Sequence, residues 1–272
     1  LVLAKKRDGF LYNGAEVCED FGNDNFYYTA SIMNCAYNCE YCYLQGMYPS
    51  GYIVVFVNIE DTFFELKKML SIKKNIYLCI SYDTDLLAVE GITGFVSKWM
   101  AFAQQNDNLK IELRTKCSNY KVFESQQPLE NFILSWTLSP KEIIHQFEKN
   151  TSSLQNRLSA IKATMRMGWI VRLCFDPIIQ VDGWQNMYEK MVKQVFDEVD
   201  GTDIEDISIG VFRISKDYMK NILNKRPNSS IINFPFTCID GVMTYSDELR
   251  QEMIQLVYKE VGQHVSRDKI YY

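Results

Sequence analysis

The sequence predicts an α/β protein, a partial (β/α)6-type barrel with parallel strands inside and helices outside. Three observations support this. Short β-rich runs alternate with amphipathic helical segments about six times, the pattern of a parallel sheet with crossover helices. Several of the β runs end in polar residues, among them 81–85, 115–116, Ser139 and Asp176, where such barrels carry their active sites. A cysteine-rich loop follows the first run directly.

In chain order, strands are expected at 26–33, 52–57, 76–81, 109–115, 132–137, 169–175 and 207–212. They are rich in Ile, Val, Phe, Tyr and Trp, which suit a pleated, buried surface. Helices are expected at 61–70, 92–103, 153–167, 183–199, 216–224 and 246–262. Thr151-Ser152-Ser153 supplies N-cap hydroxyls for one helix and Gly168 ends it. Ser246-Asp247-Glu248 opens the last helix with the acids its dipole favours. Asp240-Gly241 fits a hairpin turn. No internal repeat, low-complexity stretch or linker divides the chain. A single domain over 1–272 is expected, with the barrel at about 26–215 and C-terminal helices and a hairpin at 216–272.

With 272 residues, 47% of them hydrophobic, the chain can bury a core without staples. Its eight cysteines are few for a disulfide scaffold of this size, and three share one short loop. Reduced thiols and a cytoplasmic location are therefore expected. The apolar run 1–4 is too short for a secretory signal and is followed by Lys5-Lys6-Arg7. No stretch reaches the length of a membrane span. The chain begins with Leu1 in place of Met, so preceding residues are expected in the full protein. A net charge of −5 argues mildly against nucleic-acid binding but leaves room for a local basic face.

The strongest chemical signal is Cys35-Ala36-Tyr37-Asn38-Cys39-Glu40-Tyr41-Cys42, a C-x3-C-x2-C spacing. Three thiolates can hold three irons of a [4Fe–4S] cube and leave the fourth open to a cosubstrate. Zinc is the competing reading, but zinc favours four paired ligands. Only two histidines exist, both remote in sequence, and no second C-x2-C occurs. The same shortage of histidine disfavours a Ser-His-Asp site, and no phosphate-cradling glycine loop is present.

This triad resembles the signature of the radical S-adenosylmethionine enzymes. The wider stretch Cys39-Glu40-Tyr41-Cys42-Tyr43-Leu44-Gln45 resembles the spore photoproduct lyase family. Further matches follow in order: Thr84-Asp85, Ile92-Thr93, Arg114-Thr115-Lys116, Phe147-Glu148, Thr151-Ser152-Ser153, Pro177-Ile178, Gly183-Trp184, and Phe212-Arg213 with Lys216. The resemblance runs from about Phe26 to the C-terminal tyrosines.

It implies a radical lyase that repairs a thymine–thymine lesion in DNA. The implied cofactors are a [4Fe–4S] cluster on Cys35, Cys39 and Cys42, and S-adenosylmethionine. Tyr41 is expected against the adenine, with Thr84, Asp85, Lys116 and Ser139 as further cosubstrate contacts. The implied partners are lesion-bearing DNA and an external electron donor such as flavodoxin or ferredoxin.

The family returns a hydrogen atom to the substrate from a cysteine. Here that position falls on Tyr82, and the nearest thiol along the strand is Cys79. Cys79 is therefore the expected donor, with Tyr82, Tyr41, Tyr43 and, less favoured, Cys117 as alternatives. The family's C-terminal segment is basic, whereas 234–245 here has no basic residue. Arg213, Lys216, Lys220, Lys225 and Arg226 are the expected DNA-tracking charges, with Lys5, Lys6 and Arg7 adding to them. Two other readings stay open: a radical enzyme of the same architecture on another substrate, and a noncatalytic metal or nucleic-acid binding module.

Overall fold

The computed structural model describes residues 1–15 and 17–272. Six parallel strands lie side by side in chain order: β1 (Phe26–Tyr28), β2 (Ile76–Cys79), β3 (Leu109–Thr115), β4 (Phe132–Thr137), β5 (Ile170–Ile178) and β6 (Ile207–Val211). Tyr12–Asn13 adds an antiparallel edge to β1, and Ile270–Tyr271 adds a parallel edge to β6. The sheet is open and curled into a half-barrel, as the alternation of elements predicts.

Period-two alternation divides the sheet into two faces. Leu78, Ile111, Leu113, Leu134, Trp136, Val171 and Leu173 are buried in the apolar core. The alternate positions carry Tyr77, Cys79, Glu112, Arg114, Ser135, Arg172 and Cys174. Hydrogen bonds among Tyr77, Cys79, Glu112, Arg114 and Arg172 place those five on one shared, polar face. Crossover helices include α1 (Ile59–Leu70), α2 (Phe95–Ala103), α3 (Lys141–Phe147), α4 (Leu154–Arg166) and α5 (Trp184–Glu198). Ser153 caps α4 by accepting from the Asn156 amide at 3.2 Å, and Gly168 follows in the left-handed region at φ 91°.

Two expectations are corrected. The run 52–57 does not join the main sheet. Its core, Val54–Phe56, pairs with Val2–Ala4 and Ile32–Met33 in a separate three-stranded sheet. The expected strand 26–33 accordingly divides. Thr29 leaves β1 with its amide bonded to the Cys79 carbonyl and its hydroxyl to the Phe10 carbonyl, and Ile32 then joins the smaller sheet. Helix α3 was not expected, because its short amphipathic run follows β4 immediately after Ser139-Pro140.

Beyond β6, Arg213–Ser215 forms an antiparallel sheet with the hairpin Thr237–Ile239 and Val242–Thr244. Asp240 at φ 48° and Gly241 at φ 82° make its turn. Helix α6 (Lys216–Lys225) packs on this unit, whereas α7 (Asp247–Val261) returns to the half-barrel and packs against α5, β5 and β6. No helix among the described residues is long and apolar enough to cross a membrane.

Candidate active site

The C-terminal ends of β1 to β6 converge on the cysteine loop, where the fold places its chemistry. Asn34 opens the loop in the left-handed region at φ 65°, a conformation Asn tolerates. Its side-chain amide donates to the carbonyls of Ser50 and Tyr52 at 3.1 and 2.7 Å, closing the loop's two ends. Within the loop, Asn38–Cys39 pairs antiparallel with Glu148–Lys149. The short helix Leu44–Met47 follows, and Gly46 lets it touch α6: a Cβ there would lie 2.2 Å from the Tyr218 carbonyl oxygen.

Cys35 and Cys42 border an open cavity of about 390 Å³, together with Tyr37, Gln45 and Lys225. Burial raises the Cys35 thiol to about 12, with Asp85 and Cys42 adding to the rise. Burial also raises Cys39 and Cys42, while Lys116 acts on both to favour the thiolate. Among the described residues, no three His, Cys, Asp or Glu side chains converge as ligands of one ion. A cubane does not require that convergence, because each iron takes its own thiolate. The donor set therefore suits a cluster better than a single zinc.

Beneath the loop, Glu148 is the organising residue. It accepts from Tyr41 Oη, from Ser139 Oγ at 2.8 Å, and from Arg157 Nη2. Arg157 is fully buried and also donates to the Thr137 carbonyl at 2.8 Å and the Ser152 carbonyl at 3.0 Å. Burial opposes ionisation of Glu148, but Arg157 and Lys116 outweigh it and hold the carboxyl at about 2. The Lys116 ammonium lies 5.6 Å from the centre of the Tyr41 ring. Tyr41, Lys116 and Ser139, all expected at the cosubstrate, thus gather around one carboxylate. The Tyr41 phenol is engaged with Glu148.

Asp85 accepts from Thr115 Oγ1 at 2.7 Å, the Lys116 amide at 2.7 Å and the Ala88 amide at 3.1 Å. Burial nevertheless leaves its pKa raised. The adjacent Thr84 Oγ1 and Asp83 Oδ1 are buried and have no partner among the described residues. Buried polar atoms are normally satisfied, so this loop presents hydrogen-bonding capacity to a ligand.

Cys79 ends β2 on the polar face and is half-buried, like Cys18. Its thiol donates to Glu112 Oε2 at 3.1 Å, within a network of Tyr77, Arg114 and Arg172. Burial opposes the charge on Glu112, but Arg114 and Arg172 prevail and hold it at about 2. Tyr82 instead meets Cys18, with Sγ and Oη 3.4 Å apart. The Tyr82 ring stacks on Tyr28 at 4.1 Å, and Tyr43 donates to its carbonyl.

The basic residues expected on DNA separate into two groups. Arg213 binds Asp176 through two nitrogens at 2.9 and 3.1 Å and donates to the Val17 carbonyl at 2.8 Å. Lys225 donates to the Gln45 and Tyr48 carbonyls, and Arg226 to Gln45 Oε1 and Asn38 Oδ1. These three brace the cysteine loop and the N-terminal segment. Lys216 and Lys220 make no such side-chain bonds among the described residues, and Lys220 is exposed.

Sequence reasoning gave no role to Cys18, Glu112, Arg157 or Arg172. A usable signal existed for Glu112 and Arg172, since a charge inside an apolar central strand needs a buried partner. Nothing local marks Cys18.

A family model described as spore photoproduct lyase matches residues 26–234. The spore photoproduct lyase of Geobacillus sp. is 24% identical over 205 residues, which cover 72% of this chain and 59% of that protein. The enzyme of that name from Clostridium acetobutylicum is 22% identical over 221 residues, 79% of this chain and 64% of that one. The chain thus spans about 60% of the length of these curated relatives. A solved spore photoproduct lyase complexed with dinucleoside spore photoproduct shares the fold at a TM-score of 0.85 and 20% identity, covering 99% of this chain and 80% of that one. A variant with bound AdoMet and the same dinucleoside aligns at 0.78 and 20% identity over 88% and 74% of the two chains.

Proposed function

The chain belongs to the spore photoproduct lyase family, and from that membership we propose that it repairs the spore photoproduct in DNA, restoring two thymines from 5-thyminyl-5,6-dihydrothymine. The observation that carries the proposal is the cysteine loop, seated at the C-terminal mouth of the half-barrel beside the unpartnered polar atoms of Asp83 and Thr84. Cys35, Cys39 and Cys42 would hold a [4Fe–4S] cluster. Asp85, Thr84 and Lys116 would line the S-adenosylmethionine site. When bound, the pair supplies a 5′-deoxyadenosyl radical able to abstract hydrogen from the lesion.

The protein's own part is positioning. Glu148 fixes the cysteine loop twice, through its backbone pairing with Cys39 and its side-chain bond to Tyr41. Lys116 places positive charge beside Cys39 and Cys42, which favours their thiolate forms. Of the five basic residues expected on DNA, Lys216 and Lys220 are left open to phosphates, and the exposed Lys5 and Arg7 would add to them. The lesion must leave the duplex stack to reach this mouth. An external one-electron donor completes the reaction.

The test is an anaerobic assay of the iron-reconstituted protein with S-adenosylmethionine, a reductant and a synthetic dinucleotide lesion. Thymine together with 5′-deoxyadenosine is the expected result. Absence of both from a protein carrying its full iron complement would overturn the proposal. Tyr82 at the family's cysteine position favours one second reading, the same radical chemistry on another substrate. Cosubstrate cleavage without thymine would select it.

A further inference from the structure

Resting on the lyase reading, we propose that Cys18, brought to the mouth by the N-terminal segment, is the thiol that returns a hydrogen atom to the substrate radical, and that Tyr82 restores it. The position expected to carry the donor thiol holds a phenol, and that phenol touches a thiol from elsewhere in the chain, at 3.4 Å. Two distant segments, separated by 64 residues, thus reconstruct a thiol at the same corner of the site.

The other cysteines are placed differently. Cys79 donates to Glu112. Cys117 is buried, and its sulfur accepts from the Asn119 amide at 3.3 Å. Cys174 is fully buried in β5, and Cys238 is exposed on the C-terminal hairpin. Cys35, Cys39 and Cys42 belong to the cluster loop. Cys18 is half-buried and lies next to the loop that holds the unpartnered atoms of Asp83 and Thr84. These atoms independently point to a ligand there.

The segment carrying Cys18 is anchored. Arg213 donates to the Val17 carbonyl while gripping Asp176 with its other nitrogens. Gly210 makes room for that pair, since a Cβ would lie 2.8 Å from both Asp176 and Arg213. Arg213 is therefore a positioning residue for the thiol.

In the proposed step the Cys18 S–H bond breaks homolytically and a C–H bond forms on the substrate, leaving the unpaired electron on sulfur. The Tyr82 O–H bond then breaks, S–H re-forms, and a phenoxyl remains. One electron from the low-potential donor that the proposed reaction already uses, and one proton from solvent, restore the phenol. Tyr82 stacks on Tyr28 at 4.1 Å and Tyr28 on Tyr12 at 5.0 Å, a column that ends at an exposed ring.

The assay is run in D2O with wild type, Cys18→Ala, Cys18→Ser, Cys79→Ala and Tyr82→Phe. S–H and O–H exchange with solvent, so wild type should give thymine bearing deuterium. Both Cys18 variants should lose at least ~90% of clean thymine, accumulate adducts of the thymine radical, and still form 5′-deoxyadenosine. Cys79→Ala should match wild type. Tyr82→Phe should complete a first turnover and lose later ones, with oxidised Cys18 recovered by peptide mass spectrometry. Wild-type yields of deuterated thymine from Cys18→Ala would overturn the thiol assignment alone. Loss of thymine and 5′-deoxyadenosine in wild type would overturn the lyase reading beneath it.

A second readout needs no cluster. Iodoacetamide labelling of Cys18, followed by peptide mass spectrometry, should slow several-fold when dinucleoside spore photoproduct is added, with Cys238 unchanged. Equal Cys18 rates with and without the dinucleoside would overturn the placement of Cys18 at the substrate.

Discussion

Tyr41, in the middle of the cysteine loop, donates its phenolic hydrogen bond to Glu148, whose own backbone pairs with Cys39. One residue thereby fixes the loop through both its side chain and its main chain. Arg157 in turn fixes Glu148 from the fully buried side.

Arg157→Leu should leave a buried carboxylate without its main counter-charge. Breaking a buried pair in this way costs about 3–5 kcal/mol. Tyr41→Phe removes one hydrogen bond to a charged carboxylate and should cost about 1.5–3 kcal/mol. Urea denaturation of the two variants checks the order. Equal midpoints would mean that Glu148 does not depend on Arg157.

Acid should weaken the same framework. Glu148 and Glu112 both fall from 4.5 to about 2 in the folded protein. Their stabilisation is therefore fully present above about pH 4.5 and is lost as the pH falls toward about 2. Denaturation midpoints measured between pH 6 and pH 2 should decline mainly in that lower window. In Arg157→Leu the Glu148 share of the decline should shrink.

Cys79→Ala removes one of the donors to Glu112 and leaves the arginines in place. A loss of about 1–2 kcal/mol is expected, with the product pattern intact. A stability equal to wild type combined with altered products would return Cys79 to the chemistry.

Replacing any one of Cys35, Cys39 or Cys42 by Ala should abolish retention of a [4Fe–4S] cluster after anaerobic reconstitution. Iron analysis and the broad visible absorbance report this directly. Retention of stoichiometric iron by the Cys39 variant would exclude it as a ligand.

Lys216→Glu combined with Lys220→Glu should weaken duplex binding and reduce the dependence of log affinity on log salt by about 1–2. Fluorescence titrations of a labelled oligonucleotide at several salt concentrations measure the slope. An unchanged slope would move the DNA-tracking face elsewhere.

The order of the core strands was legible because each buried run is short, β-rich and followed by helix, which leaves few topologies for a parallel sheet. The run 52–57 misled for a related reason. Its β-branched residues suit any sheet, and composition does not say which one it joins. The place of the cysteine loop, after the first core strand, was legible because its three cysteines sit within eight residues directly behind a β-rich run. Arg213, Lys225 and Arg226 read as a phosphate edge because they cluster in sequence. Their partners, Val17, Asp176, Gln45, Tyr48 and Asn38, are far away along the chain, and no local pattern marks such pairings. Cys18 was missed for the same reason: its significance lies in a contact with Tyr82.

The bond from Arg213 to the Val17 carbonyl spans 196 residues and carries a consequence for biosynthesis. The thiol beside Val17 leaves the ribosome early, and its anchor emerges only after all six core strands have been made. A chain interrupted before Arg213 can already contain all three cluster cysteines, yet it lacks the clamp on Cys18. On the proposed reading, translation order therefore separates the residues that would hold the cluster from the clamp on the thiol that would quench its radical, and the two coexist once residue 213 has been joined.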